Sequence, residues 1–285
     1  MCIRDRPLAF LGHPSTGGVA RVLWLGDPRA LPAGGWTVQP GLAFALTPQA
    51  LPDSAQVFTP AGPGPASLVS DAVRLAVSGG TVHLGRLLAS AGVRYVVVVD
   101  GLAPSMVGTV TPSVSAPPPA GLDRDLLQQD DLQVVPGVLG VQVFENGEHM
   151  PVTAERASPL PPARTWSYPG AADVAGWQPV LGALSGGGPA TGAVSAGTVY
   201  AGYAPAGSFA LSIGGRAGPR RPAFGWAAQY AVMPGQASLS LSQFPYVPLA
   251  VLLELAAWVV LAVALLGRPR QARSRRAAGT APGET

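Results

Sequence analysis

Val247–Leu266, VPLAVLLELAAWVVLAVALL, constrains this chain more than any other stretch. Twenty apolar residues at about 1.5 Å each would reach roughly 30 Å as a helix, the thickness of a bilayer's hydrocarbon core, so the sequence predicts a transmembrane helix here. The tail that follows, GRPRQARSRR, holds Arg268, Arg270, Arg273, Arg275 and Arg276. Arginines crowded beside a span favour the cytoplasmic face, which places residues before Val247 outside the cell membrane. Phe244 and Tyr246 then fall where an outer aromatic belt would lie. Glu254 is the one charged group within the run. It either snorkels outward or faces another helix or a polar cavity.

The remaining charge is distributed in a way that restricts partners. All 18 basic residues of the 285 are arginine. Between Pro7 and Tyr246 there are 11 arginines against 12 acids, so the formal charge of +3 comes from the tail. A near-neutral body has no phosphate-tracking surface in its composition, which excludes nucleic acid as an expected partner. The single cysteine, Cys2, lies in the opening MCIRDR. That hexapeptide resembles the translation of a sequencing adaptor, so residues 1–6 are expected to be an artefact, with the true protein continuing upstream of Pro7. Without Cys2 the body has no thiol for disulfides or cysteine–metal sites.

Along the body, Arg21–Gly26 (RVLWLG) and Gly41–Leu46 (GLAFAL) read as strands. Ser67 is placed to cap a helix through SLVSDAVRLAVSGG, with Leu68, Ala72, Leu75 and Ala76 on one face. A second helix is expected over Val82–Ala91. Val93–Asp100, VRYVVVVD, is a largely β-branched run bounded by Gly92 and Gly101, the pattern of a strand covered on both faces. Helix followed by buried strand points to an α/β ectodomain over residues 7–156. Leu122–Gln129 reads as a short helix, and Leu132–Val135 with Val138–Glu145 as a hairpin that ends in a turn at Asn146-Gly147. The proline-rich stretch 157–163 is expected to be a linker. Beyond it, Gly197–Tyr203, Ser208–Ile213, Phe224–Val232 and Ala237–Leu241 alternate around turns at Gly214-Gly215 and Pro234-Gly235, which predicts a small antiparallel β-sandwich-like module over 164–246. Residues 247–266 are the expected transmembrane helix and 267–285 a basic cytoplasmic tail.

Few residues carry recognisable chemistry. His13, His83 and His149 show no metal-ligand spacing, and serine elbows of the G-x-S-x-G kind are absent. Gly186-Gly187-Gly188 lacks the Lys-Ser/Thr ending of a phosphate loop. Asp123, Asp125, Asp130 and Asp131 do not match a calcium loop and read as a solvated helix end. Asp27 and Asp100 follow strands, where α/β sheets place ligands, but turn acids occupy the same positions. No catalytic residue, metal or cofactor is assigned. Trp166, Trp177 and Trp226, with Tyr203, Tyr168 and Tyr200, are the residues from which a sugar-stacking platform could be built, against a plain core role.

Four strings carry a resemblance: RVLWLGDPRALPAGGW (Arg21–Trp36), HLGRLLASAGVRYVVV (His83–Val98), GVQVFEN (Gly140–Asn146) and AGTVYAGYAPAGSFALSIGGRAGPRRPAFGWA (Ala196–Ala227). Followed by an apolar run and a basic tail, they resemble the C-terminal end of large actinobacterial membrane glycosyltransferases, and their order is also similar to the YfhO-type membrane proteins. The resemblance implies a parent protein that transfers sugars onto cell-envelope lipids or polymers. Its nucleotide-sugar site would belong to an upstream domain, and no catalytic residue carries over to this chain. The implied role of this chain is to support or present an envelope glycan or polyprenyl-linked sugar, with the bilayer and the remainder of a longer protein as further partners. The rival reading is a non-enzymatic envelope module for protein assembly.

Overall fold

The computed structural model describes residues 8–12, 18–31, 35–48, 65–100, 116–136, 141–161, 165, 167–184, 188–204, 208–241 and 246–266. Two units divide it, Met1–Leu241 and Ser242–Thr285.

The first unit begins with a mixed sheet. Its strands are β1 (Arg21–Gly26), β2 (Trp36–Gln39), β3 (Leu42–Pro48), β4 (Val93–Val99), β5 (Leu132–Val134) and β6 (Val141–Asn146), in the order β2-β3-β1-β4-β6-β5. Only β1 and β4 run parallel, while hairpins extend both edges antiparallel. The helices α1 (Pro65–Val77), α2 (Leu84–Ala89) and α3 (Leu122–Leu127) cover one face. Val69, Val73, Leu84, Leu88 and Leu126 there pack on Leu23, Phe44, Val96, Val98 and Phe144. The segment Ala9–Gly12, a 3-10 turn, lies against the other face, where Leu11 packs with Val22, Trp24, Val97 and Val99. Both faces of β4 are therefore covered, the physical reason for its unbroken valines.

The second part of this unit is a pair of antiparallel sheets. One contains β7 (Thr153–Arg156), β8 (Gln178–Pro179), β10 (Gly197–Ala201), β13 (Arg220–Ala223) and β14 (Ala227–Val232), in the order β13-β14-β10-β7-β8. The other contains β9 (Ala190–Val194), β11 (Phe209–Ile213), β12 (Arg216–Ala217) and β15 (Gly235–Leu241), in the order β12-β11-β15-β9. Val199, Ala201, Ala228 and Tyr230 of the first pack against Leu211, Ala237, Leu239 and Ala190 of the second. The first sheet's other face, with Tyr200, Ala227 and Ala154, packs against Trp177, Trp226 and Met150. A single turn of helix, α4 (Ala171–Val174), precedes β8.

Three sheets and fifteen strands among the described residues make this a mainly β fold, which corrects the expected α/β ectodomain. The sequence signal of helix followed by buried strand was genuine, but one parallel pair does not make a parallel sheet. The strand β7 lies before the proline-rich stretch yet pairs with β10 beyond it, and Leu160 within the stretch exchanges two 3.0 Å hydrogen bonds with the Gln229 side chain. That stretch is therefore stitched to the sheet along part of its length.

The second unit contains α5, whose backbone runs Tyr246–Leu266. Its described side chains, Val251–Val263, reach only about 20 Å along a helix axis. Among the described residues no helix is long and apolar enough to cross a membrane, and the expected transmembrane helix is corrected accordingly. Residues 1–6 and the tail 267–285 lie outside the described residues.

Candidate functional site

Among the described residues, polar groups around α2 form one connected cluster. The acidic run 123–131 reads from sequence as a solvated helix end, but Asp131 is buried at the N-terminus of α2. It accepts hydrogen bonds from Gly85 N (2.9 Å) and Arg86 N (2.8 Å), while Leu84 N donates to Gln129 Oε1 (3.0 Å). A carboxylate facing the unpaired amides of a helix's first turn satisfies them and complements the helix dipole. Gln129 Nε2 in turn donates to Thr81 O and Asp125 O. Asn146, fully buried, donates from Nδ2 to Gly85 O (2.9 Å) and Val93 O (2.8 Å) and accepts from Glu148 N. Gly85 has room for no side chain: a Cβ there would lie 2.8 Å from Asp131 Cγ and 2.9 Å from Asn146 Cγ. Each of these groups is occupied in fixing α2 to the sheet.

A second cluster joins the mixed sheet to the paired sheets. The Arg21 guanidinium donates to Ala91 O and Gly202 O, both at 2.6 Å, and stands 5.7 Å from the Tyr203 ring centroid. Burial holds its pKa below the ordinary arginine value. Tyr200 Oη donates to Ser90 O (2.6 Å), and burial raises its phenol pKa above the usual range. Tyr203 stacks on Phe209 with centroids 5.0 Å apart, and burial raises its pKa as well. Arg21 and Tyr200 thus act as cross-braces, using charge and hydroxyl on backbone carbonyls at the α2 C-terminus and after β10.

The aromatic residues expected to form a sugar platform are distributed otherwise. Trp177 is 8% exposed; its Nε1 donates to Asp173 O (2.6 Å), its ring lies 5.7 Å from Tyr200, and the Arg156 guanidinium sits 4.8 Å above it. Trp226 is 5% exposed, and its Nε1 is buried without a hydrogen-bond partner among the described residues. Tyr168 Oη donates to Leu68 O. Trp166 lies outside the described residues. Trp177, Trp226 and Tyr200 belong to one core, and Tyr203 packs at the edge of the next, so the structure does not assemble them as an open stacking face.

The remaining candidates stay apart. Asp27 is held to Arg29 by two side-chain hydrogen bonds and a third from Arg29 N, which lower its pKa to about 2. Asp100 supplies its carbonyl to Ala116 N, sixteen residues along the chain. His149 Nδ1 lies 3.2 Å from Asn146 O, and burial, with the charge of nearby Arg94, lowers its pKa. Among the described residues no three His, Cys, Asp or Glu side chains lie together as a metal site. His13 and most of the Gly186–Gly188 run fall outside the described residues. Glu254 is exposed on α5, among exposed Leu253, Leu255 and Trp258.

Sequence reasoning missed Arg21, Gln129, Asn146 and the buried role of Asp131. The available signal was Asn146-Gly147 at the end of an apolar strand, read only as a turn. Comparison of the chain with protein-family models, curated proteins and solved structures finds no match.

Proposed function

We propose that this chain is a non-catalytic module of the bacterial cell envelope that associates with a lipid surface through α5 and supports or presents an envelope glycan or lipid-linked acceptor. The observation that carries this reading is α5 itself. Val251, Leu252, Leu253, Leu255, Trp258, Val259, Val260, Leu261 and Val263 are all at least 48% exposed. These side chains point all round the helix, and Glu254 is the one charged group among the described residues of α5, so water meets an almost wholly apolar surface. A lipid environment relieves this at about 25 cal/mol for each Å² of apolar surface covered. The polar clusters of the body support a scaffold role, because Asp131, Gln129, Asn146 and Arg21 are each engaged in holding backbone groups.

The test is binding of the full chain, in neutral detergent, to a panel of neutral and acidic envelope glycans and one polyprenyl-linked sugar. Binding to at least one envelope glycan is expected; binding to none would overturn the glycan-supporting role. A second reading, a module for protein assembly, is favoured by the exposed apolar side chains Leu75, Val82 and Leu127 on the helical side of the mixed sheet. Under that reading Leu75→Asp/Leu127→Asp would abolish co-purification of an envelope protein and leave glycan binding unchanged.

A further inference from the structure

Asn146 is the single asparagine among the 285 residues, and a glycine follows it. That pairing is chemically labile. Glycine has no Cβ to hold its backbone amide away from the preceding carboxamide, so a five-membered imide ring closes there more readily than before a larger residue. In that step base removes the Gly147 N–H proton, the nitrogen bonds to Asn146 Cγ, and the Cγ–Nδ2 bond breaks as ammonia leaves. Water then opens the imide to aspartate or to its β-linked isomer. Water is the one reactant consumed.

The fold keeps the reacting groups apart. Asn146 is fully buried; its Nδ2 donates to Gly85 O (2.9 Å) and Val93 O (2.8 Å), and its Oδ1 accepts from Glu148 N (3.0 Å). The nucleophile is committed as well, since Gly147 N donates to Asp131 O at 3.0 Å. Asp131 in turn holds Gly85 N and Arg86 N. For Asn146 Cγ to swing onto Gly147 N, the bonds to Gly85 O, Val93 O, Glu148 N and Asp131 O must all break, so α2 must leave the cluster. Gly147 itself is exposed, and solvent base reaches its amide once the cluster opens.

The product does not fit the space it came from. A carboxylate at position 146 turns both Nδ2 bonds into contacts between acceptors, and even when protonated it could donate only one of them. Asp131 Cγ and Asn146 Cγ lie 2.8 Å and 2.9 Å from the point where a Cβ on Gly85 would stand. The two carboxylates would therefore face each other within about 6 Å in a buried site. The β-linked isomer adds a carbon to the main chain and moves Gly147 N off Asp131 O.

We propose that Asn146-Gly147 is a latent deamidation site, closed by the α2 cluster in the intact fold, and that its reaction irreversibly records the time a chain spends with α2 detached. Opening that is fast relative to the chemistry makes the rate follow the open population.

The experiment ages the full chain in neutral detergent at mildly alkaline pH, with and without urea. The tryptic peptide Asp125–Arg156 is then weighed for exchange of NH2 by OH, and fragmentation places the change at residue 146. The native chain is expected to deamidate at least about a hundredfold more slowly than the chain in urea. Gly85→Ala, aged while circular dichroism shows it folded, should react about tenfold faster than the wild type or more. Tyr230→Phe, which loses a bond to Phe209 O in the paired sheets, should match the wild type. In aged native protein, a brief exposure to trypsin should cleave deamidated chains after Arg86 in preference to unmodified ones. Equal rates in buffer and urea, or no reaction in urea, would overturn the proposal. A Gly85→Ala chain no faster than the wild type, or matched by Tyr230→Phe, would refute gating by α2. Equal cleavage of modified and unmodified chains would refute the irreversible record.

Discussion

Gly85→Ala should destabilise this protein although it places alanine, the best helix former, inside a helix. In an exposed helix the exchange would stabilise by about 1 kcal/mol. Here the added Cβ would lie 2.8 Å from Asp131 Cγ and 2.9 Å from Asn146 Cγ, inside the closest approach real Cβ atoms make. Both neighbours are buried and neither is the free end of a long side chain. Moving Asn146 breaks its bonds to Gly85 O and Val93 O, and moving Asp131 loosens those from Gly85 N and Arg86 N. At about 1 kcal/mol for each neutral bond and somewhat more for each bond to the carboxylate, losing half of these costs about 3 kcal/mol. Set against the helix-propensity gain, the net loss is about 2 kcal/mol. For a unit of this size that is a fall in Tm of about 4–8 °C. Thermal unfolding followed by circular dichroism in neutral detergent reads it directly. The paired variant Gly85→Ala/Asn146→Ala should cost less than the sum of the two single changes, because removing the carboxamide frees the space the Cβ needs. A Gly85→Ala protein as stable as the wild type, or more so, would refute the close packing of α2 on this cluster.

Other perturbations have equally definite signs. Tyr200→Phe removes the 2.6 Å bond to Ser90 O and should cost about 1 kcal/mol in urea unfolding, leaving glycan affinity unchanged. Trp226→Ala should destabilise by about 3–5 kcal/mol, since the ring is core, with any change in glycan binding tracking the unfolded fraction. Burial raises the phenol pKa of Tyr95, Tyr168, Tyr200, Tyr203 and Tyr230. Above the ordinary value of about 10 the unfolded chain sheds these protons while the folded chain retains them, so stability should fall as pH rises through that value, by up to about 1.4 kcal/mol per pH unit for each tyrosine. His149 acts at the other end: its lowered pKa means that the unfolded chain takes up a proton first, so stability falls as pH drops below about 6.5 and His149→Gln should flatten that part of the profile.

What the sequence displayed plainly was local. Arg21–Gly26 formed a strand over the predicted residues, and the strand expected over Val93–Asp100 formed over Val93–Val99 and lay covered on both faces, because a β-branched run between glycines has few alternatives. Gly214-Gly215 turned as expected, both with positive φ. The failures came from tertiary pressure that leaves little local trace. The expected single strand Phe224–Val232 is broken at its start by a turn in which Phe224 adopts φ +51, a conformation costly for a bulky residue and held by its packing on Tyr200. The strand β9, ATGAV, has no hydrophobic alternation because Gly192 lets Val180 O approach its backbone too closely for a side chain. The capping of α2 by Asp131 joins residues 46 apart in sequence, and nothing in an acidic run marks one member as buried. The helix α1 begins at Pro65, two residues before the expected cap Ser67, because proline at a first turn gives up an amide that has no partner there anyway.

The lipid association of α5 can be tested most directly by synthesising the full chain without cells in the presence of neutral phosphatidylcholine vesicles and floating the vesicles through a density gradient. The chain should rise with the vesicles, and Leu253→Arg/Val260→Arg should leave it at the bottom. A wild-type chain that stays at the bottom, soluble and folded, would contradict the account.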